Sequence, residues 1–315
     1  MVAEGEAENR RKRVILEDQM KTSQIAIATA STAPGEPWEE KLAAYSAAGF
    51  RRVELQLDQA KRWMTRGRRA GDLGKLLENF QLRCIGGFEC PIECFSDAGR
   101  QRENHNLLVA NARLLAELGG EVLVVGTDGP SENSLSALET IGAVMRKTAE
   151  RFPKSVALAV EFNWSPVVKS LRSAVGVAQA ARSERVGIVF DVAHYHCTSS
   201  KLEDINHVSV PLFKHVHIND MRPKPGEHSH CNDDRVLPGS GQGGLDVKGI
   251  VRRIESLGYR GYFSLELFNP ELWKVPSEKI SGEMYRAMAG LCSKGQSSGG
   301  RRMVRGGQGE KRSMA

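Results

Sequence analysis

Glu161, Asp191, His217 and Glu266 share one setting. Each closes a short apolar run: Val156-Ala157-Leu158-Ala159-Val160-Glu161, Val186-Gly187-Ile188-Val189-Phe190-Asp191, His215-Val216-His217 and Tyr262-Phe263-Ser264-Leu265-Glu266. Glu54, in Arg52-Val53-Glu54-Leu55, is a fifth polar residue of this kind. A lone acid at a strand end is ordinarily solvated or caps the next helix. Four potential ligands behind four successive apolar runs argue instead for a metal site. Two glutamates, an aspartate and a histidine make a hard, mostly oxygen donor set that suits Mn²⁺, Mg²⁺ or Co²⁺ and admits Zn²⁺. A structural zinc would draw on cysteines. One divalent ion so held can chelate a ketone oxygen and the neighbouring hydroxyl, and stabilise the enediolate left when a carbon acid loses its proton. One carboxylate removes the proton and another delivers it elsewhere. Glu161 and Glu266 are expected to be that acid/base pair as well as ligands, with Asp191 and His217 as ligands alone.

Other polar residues nearby carry weaker signals. His215 and His217 are two apart, so in a strand they point the same way. Spacing does not say which is the ligand; His217 is nearer the rim and is chosen, leaving His215 as a satisfied interior histidine. His194 either faces the same mouth from the loop after Asp191 or is an ordinary surface histidine. Asp220 reads as a partner of the ligands or a helix cap. Arg235 is either solvated or placed to hydrogen-bond hydroxyl or carbonyl oxygens of a substrate. The run from Gly239 to Gly244 lacks the Gly-Lys-Ser/Thr ending of a phosphate-binding loop. Cys197 and Cys231 lie in the same loops without an activating partner and read as bystanders.

The elements that must position these residues alternate. Strands are predicted at 23–29, 52–57, 82–87, 122–126, 155–161, 186–191, 215–218 and 261–266. Helices are predicted from 37 to 49 and over 71–80, 104–118, 134–151, 167–182, 246–257 and 277–292, with a short helical or loop segment at 201–210. Apolar strands alternating with helices mean a parallel sheet covered on both faces. Eight units fit a closed (β/α)₈ barrel of about 250 residues, with active residues at the C-terminal ends of the strands. No Gly-x-Gly-x-x-Gly follows the first strand, against a dinucleotide fold.

The chain has 315 residues, 40% hydrophobic and 26% charged, enough for one such barrel over 23–293 with a charged lead-in at 1–22. The net charge of +6 is mostly local: six basic residues against Glu310 alone give 294–315 a charge of +5. That Gly/Ser/Arg-rich tail cannot bury a core and reads as disordered, so nucleic-acid binding is not expected of the near-neutral body. No apolar run is long enough for a membrane helix. The acidic and basic N-terminus has no signal-peptide core. The six cysteines form no Cys-x-x-Cys pair and fit reduced thiols in a cytoplasmic enzyme. A homo-oligomer is compatible with all of this.

Glu161-Phe162, Phe190-Asp191-Val192-Ala193-His194-Tyr195-His196, His217-Ile218-Asn219-Asp220, Asp233-Asp234-Arg235-Val236-Leu237-Pro238-Gly239-Ser240-Gly241 and Ser264-Leu265-Glu266-Leu267-Phe268 resemble the xylose-isomerase-like barrels of sugar isomerases and epimerases. The resemblance is strongest over 155–275, and the 2-keto-myo-inositol (inosose) isomerase branch is the most similar. It implies a metal on Glu161, Asp191, His217 and Glu266, substrate contacts from His194 and Arg235, and a polyhydroxy ketone as substrate. Proton exchange between the two glutamates follows from its ketose 3-epimerase branch. The loops near Phe88, Trp164 and Trp273 are expected to read hydroxyl stereochemistry.

Two branches of the same superfamily compete. Dehydratases of inosose or 3-dehydroshikimate eliminate water from a similar metal site. The endonuclease-four branch cleaves DNA with three zinc ions, but has Asp-x-His where this chain has Asp233-Asp234-Arg235. Gly86-Gly87-Phe88 and Gly126-Thr127 also replace its early histidines, and the body lacks the positive surface that a phosphate backbone needs. A non-catalytic sugar-binding protein is a further alternative, disfavoured by the intact ligand set.

Overall fold

The computed structural model describes residues 20–65, 67–130, 135–224 and 232–292. Eight parallel strands close into a barrel: β1 (Ile25–Ala28), β2 (Arg52–Gln56), β3 (Arg83–Phe88), β4 (Val122–Val125), β5 (Ala157–Glu161), β6 (Val186–Asp191), β7 (Phe213–Ile218) and, after a two-stranded insertion, β10 (Phe263–Leu265). The order around the barrel follows the chain, and β10 closes on β1 by pairing Ile25 with Phe263 and Ile27 with Leu265. The expected (β/α)₈ barrel is therefore the observed fold.

The strands form where β-branched and aliphatic residues are covered on both sides. β4 and β6 are buried at every position. Outward residues such as Leu123, Leu158, Ile188 and Val216 pack under the helices, while Ala28, Val122, Val124, Ala159 and Val189 fill the barrel interior with Phe88. Some helices start on a side-chain cap that the sequence supplies. Asp97 accepts from the backbone N–H groups of Gly99 and Arg100 ahead of Ala98–Glu117, and Asp246 from that of Gly249 ahead of Val247–Ser256. The helix Trp38–Ala48 stops, as expected, at Gly49, whose φ of 112° suits glycine.

Some local elements depart from the expectation. Leu57 opens a helix, Leu57–Met64, instead of ending a strand: Leu57 and Ala60 bury one side while Asp58 and Arg62 pair across one turn on the other. Asp191 caps a one-turn helix, Val192–His196, whereas the short helical or loop segment expected at 201–210 is present as 3₁₀ turns, Leu202–Asp204 and Val210–Leu212. Asp220–Met221 (β8) and Arg235–Val236 (β9) pair antiparallel above the barrel. Asp220 is neither a ligand partner nor a helix cap: its carboxylate accepts from the N–H groups of Met221 and Leu245 and pins the loop that carries Arg235. No described helix is long and apolar enough to cross a membrane. The expected tails, apart from residues 20–22, and Cys231 lie outside the described residues.

Candidate metal centre

Strand alternation builds the site in layers. On β2, Arg52, Glu54 and Gln56 point inward, and on β7 His215, His217 and then Asn219 do so. Glu54 is not at a strand end but mid-barrel, fully buried, with one oxygen 3.0 Å from His215 Nε2 and the other 3.1 Å from His217 Nε2. That contact fixes the His217 ring and turns Nδ1 toward three carboxylates: Glu161 Oε1 at 2.9 Å, Glu266 Oε2 at 3.4 Å and Asp191 Oδ2 at 3.8 Å. One ligand atom from each of Glu161, Asp191, His217 and Glu266 lies within 4.8 Å of all the others. The four come from the ends of β5, β6 and β7 and from the residue after β10.

His217, Asp191 and Glu266 are each held from behind, His217 by Glu54. Asp191 splits its carboxylate: Oδ1 accepts from the His194 backbone N–H at 2.7 Å, and Oδ2 accepts from Asn219 at 3.0 Å and Arg235 at 3.2 Å. Arg235 also donates to Glu266 Oε2 at 2.7 Å. It is 2% exposed, so it is first a buried counter-ion, with its other terminal nitrogen 3.4 Å from His194 Nε2. His194 does face the mouth, where its Nδ1 meets the Asn163 amide at 3.2 Å. Asn163 adopts a φ of 70°, a left-handed conformation that asparagine tolerates better than most residues.

Charge within the cluster is unbalanced. Four buried carboxylates, Glu54, Glu161, Asp191 and Glu266, face one permanent cation, Arg235. Burial disfavours the Glu54 and Asp191 carboxylates, but His215 and His217 hold Glu54 well below its usual range, and Arg235 leads in drawing Asp191 down to about 2. Glu266 takes the remaining strain: burial, reinforced by Glu161 and Asp191, pushes it up to about 8. Burial works against the His217 imidazolium, yet Glu266, Glu54 and Glu161 hold its pKa well above the ordinary value. The proton on His217 Nδ1 thus sits where a cation is wanted. A divalent ion replacing it and the Glu266 proton would keep the charge constant, and the oxygen-rich donor set fits such an ion.

Above this layer lies a cavity of about 660 Å³. Glu161 and Glu266 reach its floor, while Asp191 and His217 lie beneath, fully buried. Its walls include Phe88, Trp164 and Phe268, with Gln56, Asn163 and His194 as polar groups. Trp164 is placed by close approach: a Cβ on Gly126 would overlap its carbonyl oxygen. Of the loop near Trp273 it is Phe268 that stands in the wall; the Trp273 indole donates to the Ala30 carbonyl and packs edge-on against Phe268.

A family model described as a xylose isomerase-like TIM barrel matches residues 42–290. The chain belongs to this family.

Among relatives of this xylose-isomerase-like barrel, an inosose isomerase of Bacillus licheniformis is 32% identical over 129 residues, covering 40% of this chain and 45% of that protein. A 3-dehydroshikimate dehydratase of Pseudomonas aeruginosa is 27% identical over 281 residues, covering 86% of this chain and 42% of that protein. The chain therefore spans less than half the length of either curated relative. A solved structure described as the IOLI protein with a binding zinc atom superposes with a TM-score of 0.75 at 18% identity, over 85% of this chain and 97% of that one. At that identity the likeness speaks for the fold.

Sequence reasoning missed several residues around the site. Glu54 has no role in the sequence reading, Asn219 and Phe268 stand in its motifs without one, and Gln56 and Asn163 are not singled out. For Glu54 a signal existed: β2 and β7 both place alternate residues inward, so an acid there can meet the pair His215 and His217.

Proposed function

We propose that this barrel, over 23–293, is a divalent-metal-dependent isomerase or epimerase of a polyhydroxy ketone of the inosose type. One observation carries the reading: of the four clustered ligand-type residues, Glu161 and Glu266 alone open onto the cavity, while Asp191 and His217 are sealed below it. That division suits two groups that exchange protons with a substrate and two that only hold an ion. Bound to the four residues, a cation of the Mn²⁺, Mg²⁺ or Co²⁺ kind, or Zn²⁺, would act as a Lewis acid toward the carbonyl of the substrate.

The residues of the chain perform the rest. One of Glu161 and Glu266 takes the proton from the carbon beside the ketone and the other returns one at a different atom or face. Arg235 keeps the Asp191 and Glu266 carboxylates anchored while Glu266 works. His194, its Nδ1 on Asn163 and its Nε2 toward Arg235, stands in the cavity wall within reach of a bound substrate. Phe88, Trp164 and Phe268 cover the ring and exclude water. Arg235 is the only cation among the described wall residues and is already shared by two carboxylates, which favours a neutral sugar over an anionic one.

The coverage of 86% of the chain by the dehydratase match supports a second reading, elimination of water from 3-dehydroshikimate or an inosose at the same site. NMR in D₂O with Mg²⁺-loaded protein and a panel of 2-keto-myo-inositol, ketoses and 3-dehydroshikimate separates the two. Deuterium incorporation without loss of water supports isomerisation, loss of water supports the dehydratase, and no reaction with any of them sinks both.

A further inference from the structure

Lys41 is fully buried in the helix Trp38–Ala48, yet among the described residues its hydrogen-bond partners are two neutral oxygens and no carboxylate. Its ammonium donates to the Thr29 carbonyl at 3.2 Å and to Gln59 Oε1 at 3.4 Å. Gln59, 2% exposed, donates in turn through Nε2 to Gln56 Oε1 at 2.5 Å. Gln56 stands at the top of β2 in the cavity wall, with its backbone N–H held by Thr29 Oγ1 at 2.8 Å. Around the barrel β2 lies opposite β6, the strand that ends in Asp191.

The direction of this chain is dictated by its buried end. An ammonium has only donors, so the Gln59 amide must turn its oxygen to Lys41 and its –NH₂ to Gln56. Gln56 must then accept with Oε1, which leaves its own Nε2 outward. Burial draws the Lys41 pKa down to about 8, against Glu36, so the side chain is still a pure donor at neutral pH. A buried cation with two neutral acceptors is a costly arrangement, and orienting an amide gives it a purpose.

We propose that Lys41 and Gln59 are positioning residues that hold Gln56 with its amide –NH₂ facing the cavity, where it donates to a hydroxyl or carbonyl oxygen of the substrate. This deepens the sugar-isomerase reading and rests on it for the identity of the ligand only. Gln56 then selects for an oxygen acceptor on the side of the ring across from the ligand cluster.

The test has two arms. Side-chain amide resonances are recorded on Mg²⁺-loaded protein without sugar, Gln56 being assigned from Gln56→Met. In Gln59→Glu the new carboxylate can only accept, so Gln56 must flip and donate to it. The Gln56 –NH₂ signals are expected to shift and their exchange with water to slow, with Mg²⁺ affinity unchanged. Unmoved Gln56 signals would overturn the orienting chain whatever the substrate proves to be.

In the second arm, 2-keto-myo-inositol binding and turnover are followed by calorimetry and NMR. Gln56→Met is expected to weaken binding and raise KM about five- to tenfold, the worth of one hydrogen bond, with kcat changed less. Gln59→Glu should have no additional effect in the Gln56→Met background. Unchanged affinity in Gln56→Met, or a full Gln59→Glu effect in that background, would overturn the substrate contact. If the wild-type protein binds no sugar while the first arm succeeds, the substrate assignment fails and the orienting chain stands.

Discussion

Glu54 and His217 meet in the middle of the barrel, 3.1 Å apart and both fully buried, in a contact that decides which ring nitrogen faces the other carboxylates. Glu54 takes Nε2–H and so leaves Nδ1 for the cluster, as carboxylates behind metal-binding histidines do. Glu54→Gln can still offer an oxygen to one histidine but must turn its –NH₂ toward the other. Mn²⁺ or Co²⁺ affinity, measured by titration, is expected to fall about 10- to 100-fold. Affinity within twofold of wild type would remove Glu54 from the design of the site.

Proton linkage gives a pH signature. Glu266 is raised to about 8, so in metal-free protein its contribution to stability is complete below the unfolded carboxylate value and is lost as pH rises through about 8. The raised His217 has the same sign, its contribution being lost only as pH passes its elevated pKa. The melting temperature of metal-free protein should therefore fall between pH 6 and 9, and saturating Mg²⁺ should flatten the decline. Calorimetry in buffers of different ionisation enthalpy should show up to about two protons released per ion bound below pH 8. Release of none would contradict the exchange of protons for a cation.

Arg235 bridges Asp191 and Glu266 while 2% exposed, so removing its charge leaves two buried carboxylates facing each other. Arg235→Met is expected to destabilise metal-free protein by about 3–5 kcal/mol in urea unfolding. Much of that loss should return with saturating Mg²⁺, which restores positive charge between the same carboxylates. A loss below about 1 kcal/mol would make the pair incidental.

The two oxygens of Asp191 do separate jobs, one capping Val192–His196 and one facing the cluster. Asp191→Asn can keep the cap, since its amide oxygen can still accept from His194 N–H, but it loses the ligand charge. Asp191→Ala loses both. Urea unfolding of metal-free protein should show Asn milder than Ala by about 1 kcal/mol, the worth of a cap, while both lose most Mg²⁺ affinity.

The barrel was readable because its strands are continuous apolar runs and several of its helices carry caps or glycine stops. Glu161, Asp191, His217 and Glu266 stood out because each ends such a run. Residues whose position depends on contacts far apart in sequence were hidden. Glu54 gains meaning only from His215, 161 residues away, and Gln56 only from the burial of Lys41 under the next helix. That Phe268 and not Trp273 faces the cavity was hidden because a loop tryptophan can satisfy its indole N–H on a backbone carbonyl, which no local pattern reveals. Arg235 looked like a loop residue because two-residue strands such as β8 and β9 have too little periodicity to detect.

The most direct test of the proposed chemistry follows solvent deuterium entering 2-keto-myo-inositol in D₂O, by NMR, with Mg²⁺-loaded wild type, Glu161→Gln and Glu266→Gln, and with metal-free wild type. The expected result is exchange at the carbon beside the ketone in the loaded wild type, a loss of at least about 100-fold in either variant, and none without metal. Full exchange and turnover by Glu266→Gln with its metal affinity intact would contradict the assignment of Glu266 to proton transfer and, with it, the paired-glutamate mechanism.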